Sequence, residues 1–264
     1  MPSRKAGTDA PQDLHVSIVV PVYRNADMLR ELYRRLRGTL EPQQLSFDVI
    51  FVDDACPTGS LPVLESLARS DPRVTVLALE RNVGQHRAVL AGLAYARGDW
   101  AVVMDADLQD PPEAIPPLLA KGQEGFAAVF AGRRGWYESP LRLLTSRLFK
   151  GLLHLLTGTP ADAGIFVAMS RLMVKRLLTV GGPHPMIVAM IGCTGLPMVS
   201  IPVARAQRQT GSSAYTSWGR LKSGWRAITW VLDWKWRTAR HAPGRGTDMP
   251  PIKAYLGARF TSKD

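Results

Sequence analysis

Cysteine is nearly absent. Cys56 and Cys193 are the only two in 264 residues and stand far apart. That excludes a disulfide scaffold and fits a reducing compartment. The first residues, MPSRKAGTDAPQD, hold no apolar run, so no signal peptide is expected. A long unbroken apolar run is also missing. Residues 177–204 carry no Asp, Glu, Lys or Arg, but Gly181, Gly182, Pro183, Pro185, Gly192, Gly195, Pro197 and Pro202 punctuate them. A membrane-spanning helix would be broken there repeatedly. The pattern instead predicts a loop, a short buried helix and a strand over LPMVSIPV. Acidic residues are scarce at the C-terminal end. Residues 201–264 hold only Asp233, Asp248 and Asp264 against twelve Lys and Arg. Most of the net +11 is therefore C-terminal. It points to an anionic partner: a polyanion, a phosphate or an anionic membrane surface.

What is present is an ordinary globular composition, 46% hydrophobic and 21% charged. Collagen-like, coiled-coil and wholly disordered chains are excluded. The length suits one large domain, or one domain with an appendage. Apolar, β-branched runs at 15–23, 47–55, 74–80, 100–107 and 126–133 read as buried strands. Helical patterns alternate with them, the first over 25–38 with Asn25 as cap and Gly38 past its end. This is the signature of an α/β fold, a mostly parallel sheet with flanking helices. Amphipathic basic helices are expected over 139–158 and 217–240. Residues 1–14 are expected to be flexible and 241–264 loose.

Ligands of such sheets sit at the carboxyl ends of the strands, and polar residues gather at those ends here. Asp105-Ala106-Asp107 closes the fourth strand. Two carboxylates at i and i+2, with the neutral oxygen of Gln109 beyond, suit Mg²⁺ or Mn²⁺ and the diphosphate oxygens these ions accompany. Asp53-Asp54 closes the second strand, where a carboxylate can accept from a base or ribose. Pro21-Val22-Tyr23 closes the first, where the tyrosine can line a base pocket.

Together with Arg81-Asn82-Val83-Gly84-Gln85-His86 and DADLQDPPE, these segments resemble the family 2 glycosyltransferases of the GT-A nucleotide-sugar fold. Within that family the chain is most similar to the polyprenyl-phosphate glycosyltransferases, over about residues 15–235. The resemblance implies a GT-A domain over 15–216 and a basic interfacial helix over 217–240. It implies nucleotide-sugar contacts from Pro21, Tyr23, Asp53, Asp54, Asn82, Gln85, Asp105 and Ala106. Arg133, Arg134 and Arg208 would reach phosphate, with Arg208 over the donor diphosphate. Asp105, Asp107 and Gln109 would handle the metal, Mg²⁺ or Mn²⁺. Arg142, Ser146 and Ser213 would hold the acceptor phosphate. Asp105, Asp107 and Arg208 are the implied catalytic set. The chain departs from the family pattern at Asn25, at Ala55-Cys56-Pro57, at Ala168 and at Ala214, where a lysine is usual.

The implied reaction is inverting transfer from a nucleotide-sugar to a polyprenyl phosphate, with a UDP-sugar favoured over a GDP-sugar by the Gly84-Gln85-His86 pattern. A phosphate monoester is largely dianionic near neutrality, with a second pKa of about 6, so no strong base is required. The alternative acceptor is a soluble or secondary-metabolite hydroxyl, for which Asp162 or His184 would have to serve as base. Trp218, Trp225, Trp230, Trp234 and Trp236 interleave with basic residues over 217–240. That mixture suits an anionic membrane interface. The expectation is a cytoplasmic enzyme held peripherally at the inner membrane face, alone or through a small integral-membrane partner. No nucleic-acid motif is present, and nucleic acid is not expected as a partner.

Overall fold

The computed structural model of the chain describes residues 14–134, 140–181, 185–205, 217–239 and 249–257. Among the described residues eight strands form one sheet: β1 (His15–Val22), β2 (Ser46–Asp53), β3 (Val74–Leu79), β4 (Trp100–Val103), β5 (Ala128–Arg134), β6 (Val167–Ser170), β7 (Met198–Ala204) and β8 (Ile252–Leu256). Their order is β7-β5-β6-β4-β1-β2-β3-β8. The helices are α1 (Leu29–Leu40), α2 (Ser60–Ser70), α3 (Gln85–Tyr95), α4 (Ile115–Gln123), α5 (Pro140–Thr157), α6 (Arg171–Thr179), α7 (Ile187–Cys193) and α8 (Ser217–Ala239).

β1 to β4 pair in parallel around β1 and are almost wholly buried. Both faces are apolar because both are covered by helices. Val16, Ile18, Val20 and Val22 share a core with α1, α2 and α4. Val19, Ile50, Val52 and Leu77 face the opposite way and share one with α3, α6 and α7. The polar residues of these strands pair with each other. Ser17 Oγ donates to Asp48 at 2.8 Å and receives the Gly98 N–H at 2.9 Å.

β6 runs antiparallel between β4 and β5. The segment entering β6 therefore reaches the same sheet edge as the ends of β1, β2 and β4. β2 and β4 flank β1, and the direction of strand addition reverses there. This is the topological switch point at which open α/β sheets bind ligands.

Two local expectations are corrected. α1 runs through Gly38 to Leu40, because Leu40 is fully buried and anchors another turn. Within the tail expected to be loose, residues 252–256 form β8, antiparallel to β3. Tyr255 packs against Tyr95, with ring centroids 5.6 Å apart. The outer edge of β3, away from β2, offers a ladder that the composition of the tail does not announce.

Three non-glycine residues with left-handed φ lie shortly past strand ends: Arg24 (63°) after β1, Ala55 (49°) after β2 and Leu108 (59°) after β4. This conformation costs an L-residue about 1–2 kcal/mol. Ala55→Gly is expected to stabilise the fold by about 1 kcal/mol after the entropy cost of glycine. Urea unfolding checks this, and a loss of stability would count against the strain.

Candidate active site

The crevice lies at the ends of β2, β1 and β4, adjacent in the sheet. At β1, Pro21 is buried and Tyr23 half-buried, with the Arg24 guanidinium 5.2 Å from the Tyr23 ring centroid. At β2, Asp53 is buried. Its Oδ1 accepts the Ser60 hydroxyl at 2.5 Å, where α2 begins. Burial lifts the Asp53 carboxyl above the usual carboxylate range, and its hydrogen bonds from Ser60 and the Cys56 N–H only partly offset this.

Asp54 behaves differently from its neighbour. Only 2% of it is exposed, and both carboxylate oxygens accept backbone N–H groups, Val83 at 2.7 Å and Gly84 at 3.0 Å. The Asn82 side chain donates to the Asp54 carbonyl at 3.3 Å. In this geometry Asp54 shapes the loop entering α3 from inside, and a nucleotide would meet that loop rather than the Asp54 carboxylate. Gly84 has a φ of 87°, which glycine adopts without strain. The loop thereby presents Gln85, whose Nε2 donates to Asp105 Oδ1 at 2.5 Å. Here lies the physical link between the second-strand cluster and the fourth.

His86 closes the same turn from behind. Its Nδ1 receives the Ile187 N–H of α7 at 3.5 Å, and burial pushes its pKa down to about 4. A depressed histidine pKa means that the unfolded chain binds the proton more readily. Its contribution to stability is complete above pH 6.5 and is lost as pH falls towards 4. His86→Gln is expected to flatten the fall in melting temperature across that interval. An unchanged slope would contradict a His86 held neutral by the fold.

At the end of β4, Asp105 and Asp107 are partly exposed while Ala106 packs into the core. Any contact from Ala106 to a ligand therefore comes from its main chain. Asp107 Oδ1 accepts the Gln109 N–H at 3.1 Å, and Leu108 turns the chain between them. Two residues outside the sequence expectation complete this turn. Asp110, 1% exposed, accepts the Asp105 N–H at 3.3 Å. Arg205, just past β7, donates from Nε to Asp110 Oδ1 at 2.7 Å.

The donor set fits a divalent cation of one kind. No group of three or more His, Cys, Asp or Glu side chains converges among the described residues, so a closed protein cage is excluded there. Two carboxylates with room for diphosphate oxygens and water suit Mg²⁺ or Mn²⁺.

Arg208 and Ser213 lie outside the described residues, as does His184. Arg133 and Arg134 are placed by their main chain at the end of β5, opposite Val203 and Ala204 of β7. Arg142 and Ser146 are placed on α5. The side chains of these four are likewise outside the described residues. Asp162 sits in the segment entering β6. Its carboxylate lies over Gly132 of β5, beside the Ser200 hydroxyl of β7, in space that any side chain at 132 would fill.

The sequence model of the family described as "Glycosyl transferase family 2" matches residues 17–177, spanning the crevice and the strands that build it. The chain belongs to glycosyl transferase family 2. It is 32% identical over 221 residues to an uncharacterised glycosyltransferase, YkcC, of Bacillus subtilis, covering 82% of this chain and 68% of the relative. It is 35% identical over 211 residues to an undecaprenyl-phosphate 4-deoxy-4-formamido-L-arabinose transferase of Pseudomonas fluorescens, covering 78% of this chain and 62% of that one. The chain thus spans about two thirds of the length of these relatives. Among solved structures it superposes on a Pyrobaculum calidifontis mannosyltransferase in complex with GDP-Man and Mn²⁺ (TM-score 0.57, 19% identity, 89% of this chain and 66% of that one). It superposes equally on a Mycobacterium tuberculosis glucosyl-3-phosphoglycerate synthase in complex with Mn²⁺ and UDP (TM-score 0.56, 18% identity, 89% and 86%). Both carry the GT-A fold, and so does this family 2 chain.

Proposed function

We propose that the chain transfers a glycosyl group, with inversion, from a nucleotide-sugar to a polyprenyl phosphate at the cytoplasmic face of a membrane. A UDP-sugar is the favoured donor, on the resemblance of the Gly84-Gln85-His86 segment. Asp53 and Tyr23 would hold the nucleoside, with Asn82 and Gln85 on the loop that Asp54 shapes. Asp105, Asp107 and Gln109 would hold Mg²⁺ or Mn²⁺. That ion would supply positive charge to the leaving diphosphate, alongside Arg133, Arg134 and Arg208. Arg142, Ser146 and Ser213 would bind the acceptor phosphate, which needs no strong base because it is already largely ionised, with a second pKa of about 6.

The observation that carries the lipid acceptor is where apolar surface is left uncovered. Seven large hydrophobic side chains are exposed among the described residues, and five lie on α5 and α8: Leu152, Leu155, Trp225, Leu232 and Trp236. Residues 225, 232 and 236 fall within about 40° of one another on a helix of 3.6 residues per turn. Arg226 and Lys235 are exposed beside them. Ser146 lies six residues, about 9 Å of helix, before Leu152. A lipid whose phosphate is held at 142–146 would have this apolar, Trp-bearing surface within reach of its chain. No helix among the described residues is long and apolar enough to cross a membrane. Peripheral binding, alone or with a small integral-membrane protein, follows from this reading.

Release of UDP from a UDP-sugar tests the acceptor class. Release is expected to rise when undecaprenyl phosphate in detergent is added. A rise with a soluble alcohol and none with the lipid would favour a hydroxyl acceptor instead. The seat of Asp162 over Gly132, on the same edge of the sheet, is the observation on that side, since such an acceptor needs a base.

A further inference from the structure

β7 delivers a cation to the crevice that neither composition nor motif singles out. Arg205 and Asp110 lie 95 residues apart. The two nearer nitrogens of the guanidinium converge on one oxygen, Nε and Nη2 each 2.7 Å from Asp110 Oδ1. Asp110 Oδ2 is thereby left for the Asp105 N–H. Arg205 Nη2 is itself buried and makes no well-angled hydrogen bond, yet it lies 3.7 Å from Asp105 Oδ2. The other oxygen of Asp105 is taken by Gln85. Arg205 thus reaches the Asp105 main chain through Asp110 and lies near the Asp105 side chain.

An arginine that served only to neutralise Asp110 would spend its fork on both carboxylate oxygens. This one sets Nε and Nη2 on a single oxygen, and the same Nη2 lies within ion-pair distance of Asp105 Oδ2. We propose that Arg205 is a positioning residue, which clamps Asp110 so that Asp105 is preorganised for a divalent cation and the diphosphate it accompanies. The inference rests on the reading of Asp105 and Asp107 as the cation carboxylates.

The test is a Mn²⁺ titration in the presence of UDP, followed by electron paramagnetic resonance, with thermal unfolding alongside. The parent is expected to bind Mn²⁺ and Asp107→Ala to lose it. If Asp107→Ala binds like the parent, the carboxylate reading fails and takes this inference with it. If that control behaves, Arg205→Met is expected to weaken Mn²⁺ binding by about 10- to 100-fold, the usual scale for groups that orient a ligand from behind. Arg205→Lys, which keeps the charge but not the fork, is expected to lose less. The double variant Arg205→Met/Asp110→Asn removes both charges of the pair. It is expected to regain the melting temperature but not the Mn²⁺ affinity. Recovery of both, or undiminished binding by Arg205→Met, would reduce Arg205 to a structural counter-charge and overturn the proposal.

Discussion

Alanine at Asp107 is expected to leave a folded protein that no longer binds its donor in a cation-dependent way. Asp107 is partly exposed and accepts one described backbone N–H, from Gln109. Truncation opens no core cavity, so stability is expected to change by less than about 1 kcal/mol. The chemistry loses far more. One of two hard anionic ligands disappears, and transfer is expected to fall at least about 10²-fold, the scale seen when one group stabilising transition-state charge is removed. Asp105→Ala is expected to cost both activity and stability, because Gln85 and Arg205 each lose a partner there. Mn²⁺ titration with UDP and urea unfolding on both variants separate the two effects. Full cation-dependent binding by Asp107→Ala would contradict the metal assignment.

The second large effect is expected at the membrane. Serine at Trp225, Leu232 and Trp236 together removes the exposed apolar stripe of α8. These residues are 69%, 49% and 55% exposed, so the fold is expected to keep its melting temperature. Full burial of such side chains is worth about 1.5–3 kcal/mol each. Partial insertion of all three at about 1 kcal/mol apiece amounts to roughly a 10²-fold loss of vesicle affinity. Flotation with anionic liposomes measures it, and salt should weaken parental binding through the flanking Arg226 and Lys235. Undiminished flotation of the triple variant would place membrane contact elsewhere on the chain.

The sheet was legible because its first strands are continuous Val, Ile and Phe runs ended by turn residues, which only a doubly covered parallel strand tolerates. The strand-end clusters were legible for the same reason: carboxylates stand out where a buried strand stops. What each carboxylate does was not. Asp53 and Asp54 are neighbours in the same motif, yet Asp54 turns inward onto the Val83 and Gly84 N–H groups. A linear pattern cannot say which carboxylate a loop 29 residues later will claim. Arg205 was hidden in the same way, its partner standing 95 residues upstream. β8 was hidden because Pro and Gly on either side of IKAYL read as coil, and only the free edge of β3 makes a strand of it. Gly38 misled in the opposite sense. A glycine at a helix end reads as a stop, but burial of Leu40 outweighs its cost of about 1 kcal/mol.

Product identity bears most directly on the central claim. Purified protein is incubated with Mg²⁺ or Mn²⁺, a panel of labelled nucleotide-sugars and undecaprenyl phosphate, then partitioned between chloroform–methanol and water. The expected result is label in the organic phase with one donor class, dependent on the cation and lost in Asp107→Ala. Label confined to the aqueous phase with every donor, on a soluble acceptor, would contradict it.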